Sequence, residues 1–409
     1  MYYPRHIETV IERVSKRKPV VVITGARQVG KSTMLKTVFP DINYVSLSRP
    51  LVRESAKESP SLFFELNKPP LVVDEIQKAG ELFDYIKDIV DENKKPGQFY
   101  LSGSQSFQLM KNITESLAGR AAIVKLLGLS FRELTNGQYH KPFLPTPENL
   151  RDSEKAAEGF DYTKLISFIH KGFFPELYET ASDLPDWSDY YSSYFQTYIE
   201  KDIKDVLNIQ DESAFIKFVK AVASLTGMTL NLTTLAEICG KDVKTVKSWL
   251  SVMESSGLVY LLEPYHNNFN KRLVKMPKLY FLDTGLACWL LGWNTPEQLV
   301  NGAAWGHIFE SYVFAEILKS YFNDGIVNPP LYYYRDKEKN EIDLIIEEGN
   351  TLYPIEIKTT SDPTKSMANA FNLLKAIPEK KAGSGAIICL ARERLPLRED
   401  VWIVPASAI

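Results

Sequence analysis

The chain of 409 residues is almost neutral, with 48 Lys and Arg against 51 Asp and Glu and a formal net charge of −3 at pH 7. The length suits two or three domains, and the balance of charge excludes a basic field over the whole surface, so any contact with nucleic acid must come from local patches. Because no segment approaches the ~18 consecutive apolar residues of a membrane span and the three cysteines lie far apart in the sequence, we expect a cytoplasmic protein without membrane contact.

The first motif follows an apolar segment at residues 20–24. Residues 25–32 are Gly-Ala-Arg-Gln-Val-Gly-Lys-Ser, which satisfies every fixed position of the P-loop pattern G-x-x-x-x-G-K-[ST]. Glycines let successive backbone N–H groups face phosphate oxygens, the lysine places a charge beside the β- and γ-phosphates, and the hydroxyl can bind Mg²⁺. The sequence therefore predicts an ATP site with Mg²⁺, formed by Gly25, Ala26, Arg27, Gln28, Val29, Gly30, Lys31, Ser32 and Thr33.

Two acids, Asp74 and Glu75, follow a second apolar segment at residues 71–73. Asp74 is placed to hold the Mg²⁺ shell and Glu75 to polarise the attacking water. A buried strand that ends in solvated acids is the alternative, which the P-loop upstream disfavours. The next apolar segment ends near Ser104, whose hydroxyl could contact the γ-phosphate, although serines are common at strand ends. We therefore predict that Lys31 and Glu75 are catalytic and that Ser32 and Asp74 are metal ligands.

An arginine, Arg120, ends the segment Ser-Leu-Ala-Gly-Arg. It could complete the site of a neighbouring subunit and stabilise the charge of the transition state there, in which case the protein is a homo-oligomer. A helix-terminal arginine on an acidic surface is an equal alternative. The sequence predicts Arg120 as a catalytic residue on the first of these interpretations.

Changes in pattern divide the chain. Alternating strands and helices at the start predict an α/β domain with a parallel sheet, and a Pro- and Asn-rich stretch after it predicts a loop. The predicted divisions are an ATPase domain over 1–136, a loop and helical connector over 137–210, a winged-helix domain over 211–294 and a small α/β domain over 295–409.

Residues 229–265 predict a helix-turn-helix that continues into strands, which is the winged-helix pattern. The second helix is expected to bury four apolar residues, Val243, Val246, Leu250 and Met253, and to present Lys244, Lys247, Ser248 and Ser251. The wing, over 266–278, carries four basic residues, Lys271, Arg272, Lys275 and Lys278, and no acid. We expect contact with DNA through its phosphates, and a protein-docking module with a solvated basic face is the alternative.

A second charged group is expected in the last domain. Asp343 lies on one strand, and Glu356 and Lys358 share a face of the next because they are two residues apart. A helix nearby supplies Glu310. Such a group could hold a cation that activates water beside a phosphate, although Lys358 could instead neutralise the acids in an ion network.

Taken together, these motifs resemble a large bacterial and archaeal family that joins an AAA-type P-loop ATPase to a C-terminal domain of unknown function. Residues 275–287, Lys-Met-Pro-Lys-Leu-Tyr-Phe-Leu-Asp-Thr-Gly-Leu-Ala, are similar to the hallmark of that family. The acidic group is similar in order and spacing to the PD-(D/E)xK nuclease core, with Glu341-Ile342 where a proline is expected. The resemblance implies a restriction-endonuclease-like fold in which Glu310, Asp343 and Glu356 bind Mg²⁺ or Mn²⁺ and Lys358 is catalytic.

Two functions remain open at this point. In the first, an ATP-driven machine binds DNA and carries a working nuclease. In the second, a regulatory or signalling ATPase uses the same C-terminal fold only to bind DNA or a protein partner. The sequence predicts the ATPase in both.

Overall fold

A computed structural model describes residues 2–104, 113, 115–137, 139–155, 162–179, 186–203, 209–266, 276–338 and 340–409. These residues form three sheets with helices packed around them. No helix within these ranges is both long and apolar enough to cross a membrane.

The first sheet is parallel, as the sequence predicts. Its strands are β1 Val20–Thr24, β2 Asn43–Ser46, β3 Leu71–Asp74, β4 Phe99–Gly103 and β5 Ala121–Lys125. They lie in the order β2-β3-β4-β1-β5, and every neighbouring pair is parallel. Strands β1, β3 and β4 are buried throughout, which suits their apolar sequences because helices cover both faces of such sheets. The carboxyl ends of β1, β2, β3 and β4 therefore meet at one edge.

Helices flank this sheet. They are α1 Glu8–Ser15, α2 Lys31–Val38, α3 Pro50–Glu58, α4 Pro60–Leu66 and α5 Leu82–Glu92, with a short 3₁₀ helix at Ile76–Lys78. Helix α5 buries Leu82, Phe83, Ile86 and Val90, which lie on one face at helical spacing. Helix α2 begins at the P-loop lysine and points its amino end at the same edge of the sheet.

A mostly helical region follows the sheet. It contains α6 Phe131–Leu134, α7 Pro147–Lys155, α8 Tyr162–Lys171, α9 Trp187–Tyr194, a π-helix at Phe195–Ile203 and α10 Glu212–Ser224, with a 3₁₀ helix at Pro175–Tyr178. Helix α9 buries Tyr190, Tyr191 and Tyr194, so its aromatic face belongs to the core.

The helix-turn-helix consists of α11 Leu232–Cys239 and α12 Val243–Ser255. Gly240, at a φ of 63°, ends α11 in the left-handed region. A small antiparallel sheet is formed by β6 Met228–Thr229, which precedes these helices in the chain, and by β7 Val259–Leu262 and β8 Lys278–Phe281, which follow them; the order is β6-β8-β7. Val243 is exposed, contrary to expectation, because it is the first residue of α12, and Trp249 is buried instead. Three basic residues of the expected wing, Lys271, Arg272 and Lys275, lie outside the described residues.

The last part of the chain is a mixed sheet with a long helix. The helices are α13 Thr284–Leu290, α14 Pro296–Asn301 and α15 Trp305–Asn323, with 3₁₀ helices at Lys365–Ala376 and Ala406–Ala408. The strands are β9 Leu331–Arg335, β10 Glu341–Glu348, β11 Thr351–Ile357, β12 Lys381–Ala382, β13 Gly385–Cys389, β14 Leu395–Arg398 and β15 Val401–Pro405. Their order is β14-β15-β13-β11-β10-β9, with β12 beside β11.

Helix α15 contacts the segment that follows the parallel sheet. Glu316 accepts a hydrogen bond of 2.9 Å from the backbone N–H of Phe131, and Lys319 donates one of 2.9 Å to the carbonyl of Leu129. Glu316 and Lys319 also pair with each other at 2.7 Å, and both are buried. Because α15 is enclosed on nearly every side, its burial pattern is not that of a surface helix.

Candidate functional site

The P-loop connects β1 to α2 and takes a shape that two of its glycines permit. Gly25 has a φ of 155°, and a Cβ there would overlap the carbonyl oxygen of Leu126. Gly30 has a φ of 92° and precedes the first residue of α2. A side chain at either position would be strained, so the glycines of the motif fix the loop at the amino end of a helix, where backbone N–H groups can bind anions.

The lysine of the motif is buried inside the loop. Its ammonium group donates hydrogen bonds of 3.0 Å to the carbonyl of Gly25 and 2.7 Å to that of Ala26. Burial lowers the pKa of Lys31 to about 8, although the negative charges of Glu75 and Asp74 oppose this effect. Lys31 therefore lies within the loop that would surround the phosphates.

Arg5 stabilises the P-loop through hydrogen bonds to backbone carbonyls, a contact that the sequence did not indicate. Its guanidinium group donates to the carbonyl of Val29 at 2.9 Å and to that of Leu127 at 2.8 Å. The same group pairs with Glu133 at 3.2 Å, and both side chains are buried. No motif surrounds Arg5, so only the tertiary contacts show that it braces the P-loop.

Asp74 is surrounded by hydroxyl groups from three segments. Ser32 donates to its Oδ1 at 2.9 Å, and Ser102, at the end of β4, donates to the same oxygen. Tyr44 and Ser46, both on β2, donate to Oδ2 at 2.7 and 3.5 Å. In the described part of the chain no ion pair contacts Asp74, so its carboxylate is stabilised by hydrogen bonds from neutral hydroxyl groups. A carboxylate and a hydroxyl at this spacing are the hard oxygen ligands that Mg²⁺ prefers, and the donor set fits that ion.

Glu75 has an uncommon backbone conformation, and hydrogen bonds fix the position of its side chain. Its φ of 57° and ψ of 43° place it in the left-handed region, which is uncommon for a residue with a side chain and occurs often at active sites. Gln77 donates to Oε2 of Glu75 at 2.5 Å, and Ser104 donates to the same carboxylate at 3.2 Å. Ser104, predicted to contact the γ-phosphate, thus touches Glu75 in this structure. Gln77 was not predicted.

Arg120 lies at the opposite edge of the sheet from the P-loop. Its carbonyl accepts from the N–H of Val20, the first residue of β1, so it is separated from the P-loop by the length of that strand, about 16 Å. Its guanidinium group pairs with Asp91 at 2.6 and 2.7 Å on the surface. Arg120 can therefore reach a nucleotide only in another copy of the chain.

The helical region touches the P-loop directly. Tyr190 donates a hydrogen bond of 3.1 Å to Gln28, and the guanidinium carbon of Arg27 lies 5.7 Å from the centre of the Tyr198 ring. After α12, a Cβ placed on Gly257 would lie 3.6 Å from the backbone nitrogen of Ala26. The P-loop thus contacts both the helical region, through Tyr190 and Tyr198, and the turn at Gly257 that follows α12.

The C-terminal acids and lysine also come together, as the sequence predicts. Lys358, directly after β11, contacts Asp343 at 3.1 Å and Glu356 at 2.5 Å. The N–H of Ile357 donates to Asp343 at 2.9 Å. Glu310 approaches from α15, where it is buried. We call Glu310, Asp343, Glu356 and Lys358 the C-terminal cluster.

A second lysine enters this cluster. Lys278, expected on the exposed wing, is instead buried on β8, where its ammonium group lies 2.7 Å from Glu310, 2.7 Å from Glu341 and 3.6 Å from Asp343. The expectation of a phosphate contact at Lys278 was wrong. Lys278 and Tyr280 are two residues apart on the strand, so both side chains face Glu310. The hydroxyl of Tyr280 donates a hydrogen bond of 2.6 Å to Glu310.

These two lysines offset part of the negative charge of the acids. Burial, followed by the negative charge of Asp343, raises the pKa of Glu310 to about 7 and that of Glu356 to about 8. Burial acts in the same direction on Asp343, but Lys278 and Lys358 outweigh it and lower its pKa. Among the residues that the structure describes, no three His, Cys, Asp or Glu side chains are arranged to hold a metal ion. As it stands, the C-terminal cluster does not fit a divalent cation.

Models of three protein families match separate parts of the chain. Residues 17–135 match an AAA domain. Residues 162–297 and 305–409 match two domains of unknown function, DUF8612 and DUF4143.

Relatives match over most of the length. The uncharacterized protein Rv2008c of Mycobacterium tuberculosis is 27% identical over 98% of this chain and 82% of its own. The uncharacterized protein MJ1544 of Methanocaldococcus jannaschii is 23% identical over 80% and 72%, respectively.

Among solved structures, the Walker-type ATPase PABY2304 of Pyrococcus abyssi is 14% identical, with 71% of this chain and 96% of that one covered and a TM-score of 0.41. The Thermotoga maritima RuvB Holliday junction branch migration motor is 15% identical over 62% and 87%, with a TM-score of 0.27. Such scores are too low to establish a shared overall fold. The AAA model and the P-loop joined to Asp74 through Ser32 identify residues 17–135 as an AAA-type P-loop ATPase domain.

Proposed function

We propose that the chain is a Mg²⁺-dependent ATPase that couples ATP binding and hydrolysis to the binding of DNA. The observation that carries the ATPase proposal is the hydrogen bond of 2.9 Å between Ser32 of the P-loop and Asp74 of β3, with Glu75 beside it. Two motifs that are 42 residues apart in sequence thus form one site, which is the arrangement that ATP hydrolysis needs.

In this proposal the backbone N–H groups of the P-loop and the ammonium group of Lys31 bind the β- and γ-phosphates. Ser32 and Asp74 hold Mg²⁺, which neutralises charge on the phosphate oxygens when bound. Glu75 orients a water molecule and accepts its proton as the water oxygen attacks the γ-phosphorus. The bond from that phosphorus to the bridging oxygen breaks, its electron pair stays on ADP, and phosphate leaves.

The coupling to DNA is supported by the position of the helix-turn-helix. Lys244 and Lys247 are exposed on α12, so their ammonium groups are available to contact the phosphates of DNA. The turn at Gly257, after α12, lies against Ala26 of the P-loop. A change in the P-loop on nucleotide binding can therefore be transmitted to the carboxyl end of α12.

Phosphate release measured with and without duplex DNA tests the proposal. Wild-type protein should hydrolyse ATP with Mg²⁺, and DNA should change the rate. Lys31→Ala should abolish nucleotide binding because the phosphate charge loses its partner. Lys57→Ala, a matched change on the exposed end of α3, should not. Equal activity in wild type and Lys31→Ala would contradict the ATPase proposal, and a rate indifferent to DNA would contradict the coupling.

A second candidate is a regulatory ATPase whose C-terminal domain binds DNA or a protein without cleaving nucleic acid. The position of Lys278 in the C-terminal cluster favours this candidate over a working nuclease. Wild type, Asp343→Ala and Lys358→Ala should be incubated with DNA and RNA in Mg²⁺ or Mn²⁺, with and without ATP. Cleavage by wild type that is lost in both variants would restore the nuclease function implied by the resemblance.

A further inference from the structure

We propose that Lys278 is a built-in counter-ion that takes the place of a divalent metal in the C-terminal cluster and keeps such metals out. This inference goes beyond the ATPase and does not depend on it. It assigns a role to a residue of β8, which belongs to a different sheet from Glu341 and Asp343 and a different element from Glu310.

The first argument is the position of the ammonium group. Lys278 extends from β8 and reaches Glu310 on α15 together with Glu341 and Asp343 on β10. Its side chain is 4% exposed, so the group is surrounded by carboxylates from two elements rather than by water. A metal ion held by Glu310 and Asp343 would have to lie among the same oxygens.

The second argument is electrostatic. Mg²⁺ binds carboxylate oxygens at about 2.0–2.1 Å, so an ion bridging Glu310 and Asp343 would be in close contact with the ammonium group. A fixed positive charge at that distance repels a cation strongly in a buried site. With Lys358 on the other side, at 3.1 Å from Asp343, the acids are already satisfied by two lysines.

The third argument is that Lys278 is fixed by its strand. Strand β8 lies between β6 and β7, and Leu279 and Phe281 are fully buried on either side of Tyr280. The N–H of Phe281 donates to Thr226 at 2.8 Å. Withdrawing Lys278 would therefore disturb the middle strand of a sheet, and it would leave a buried acid without its partner, which is strongly unfavourable. The lysine is a structural part of the cluster and not a surface side chain that rests there.

The experiment is a titration of the nucleotide-free full chain with Mn²⁺, in which bound ion is followed by electron paramagnetic resonance. Wild type and Asp343→Asn should bind the same amount of Mn²⁺, because the cluster binds none. Lys278→Met, which removes the positive charge and keeps most of the side-chain volume, should bind one Mn²⁺ ion more than wild type. The double variant Lys278→Met with Asp343→Asn should lose that gain.

Two results would overturn the inference. The first is a Mn²⁺ ion in wild type that disappears in Asp343→Asn. The second is a Lys278→Met protein that folds, judged by its circular dichroism, and gains no site. If Lys278→Met does not fold, Lys278→Gln, which can still donate to Glu310, replaces it with the same expected gain, and the comparison of wild type with Asp343→Asn decides independently of both.

Discussion

The phenol hydroxyl of Tyr44 donates a hydrogen bond of 2.7 Å to Oδ2 of Asp74, the acid at the end of the neighbouring strand. Burial and this hydrogen bond raise the pKa of Tyr44, so the hydroxyl remains a donor at any pH at which the protein is studied. Because Ser32 and Ser102 act on the other oxygen, Tyr44 fixes the orientation of the carboxylate that we propose as a Mg²⁺ ligand.

Tyr44→Phe should raise the Mg²⁺ concentration needed for tight ATP binding by about 10–100-fold, the usual effect of removing a group that orients a metal ligand. Binding of a fluorescent ATP analogue without Mg²⁺ should not change, since the P-loop is untouched. Tyr100→Phe is the matched control: Tyr100 pairs with Val72 on the other side of β3 from Tyr44, and its hydroxyl interacts with Ser15 instead. An unchanged Mg²⁺ requirement in Tyr44→Phe would show that the hydroxyl does not position Asp74.

The contact between Gln77 and Glu75 leads to a second prediction. Glu75→Gln should keep ATP binding and slow turnover by roughly 10²–10⁴-fold, because the phosphate cradle stays intact while the group that accepts the proton is lost. Gln77→Leu should lower kcat with little change in KM, since it frees the carboxylate without removing it. Single-turnover hydrolysis and analogue binding separate the two effects. Normal turnover in Glu75→Gln would move the activating role to another residue.

The sequence predicted the residues of the ATP site that belong to short contiguous motifs. The P-loop is local, because its glycines, lysine and serine act within one turn and the start of α2. Asp74 and Glu75 lie together at the end of one strand, β3. Tyr44 and Arg5 could not be predicted, because their contacts with Asp74 and Val29 exist only after strands and helices are placed.

For Lys278, the neighbouring residues in the sequence predicted the wrong environment. Its basic neighbours in sequence suggested an exposed wing, but alternation along β8 turns it, with Tyr280, toward Glu310. The convergence of Asp343, Glu356 and Lys358 was predicted because it needs only two strands with a short turn. The residue that fills the space between those acids and Glu310 comes from another sheet, and no spacing in the sequence indicates it.

Lys31 should make ATP binding depend on pH. Its pKa is lowered to about 8 by burial, and only the protonated form offers charge to the phosphates. In the free protein Lys31 loses its proton as the pH rises through about 8. Above that pH, ATP binding requires Lys31 to take up a proton, so the apparent Kd for ATP should increase by up to about tenfold per pH unit. Titrations at pH 7, 8 and 9 measure this trend. An affinity that is constant from pH 7 to pH 9 would mean that the ammonium group is not paired with phosphate.

If Arg120 acts across a subunit boundary, mixing two inactive variants should restore hydrolysis. Arg120→Ala retains a complete P-loop, and Lys31→Ala retains the arginine, so a pair of the two contains one complete site. Asp91→Asn, which weakens the surface ion pair at 2.6 Å, should leave the wild-type rate intact because it frees Arg120 without removing it. No recovery in a mixture whose assembly has been verified by light scattering would leave Arg120 as a surface partner of Asp91.

The helix-turn-helix gives the last prediction. Lys244 and Lys247 are exposed on α12, and each lysine that neutralises a phosphate releases a counter-ion, so the double change Lys244→Gln with Lys247→Gln should weaken binding to every duplex sequence. The slope of log K against log salt should fall by about 1.8, since each contact contributes about 0.9. Lys57→Gln with Lys68→Gln, a change of equal charge on the ATPase domain, is the control. Fluorescence anisotropy from low to moderate salt measures both slopes. If wild type binds no DNA at low salt, or if the two double variants behave alike, α12 does not contact phosphates and the domain is a docking module for a protein.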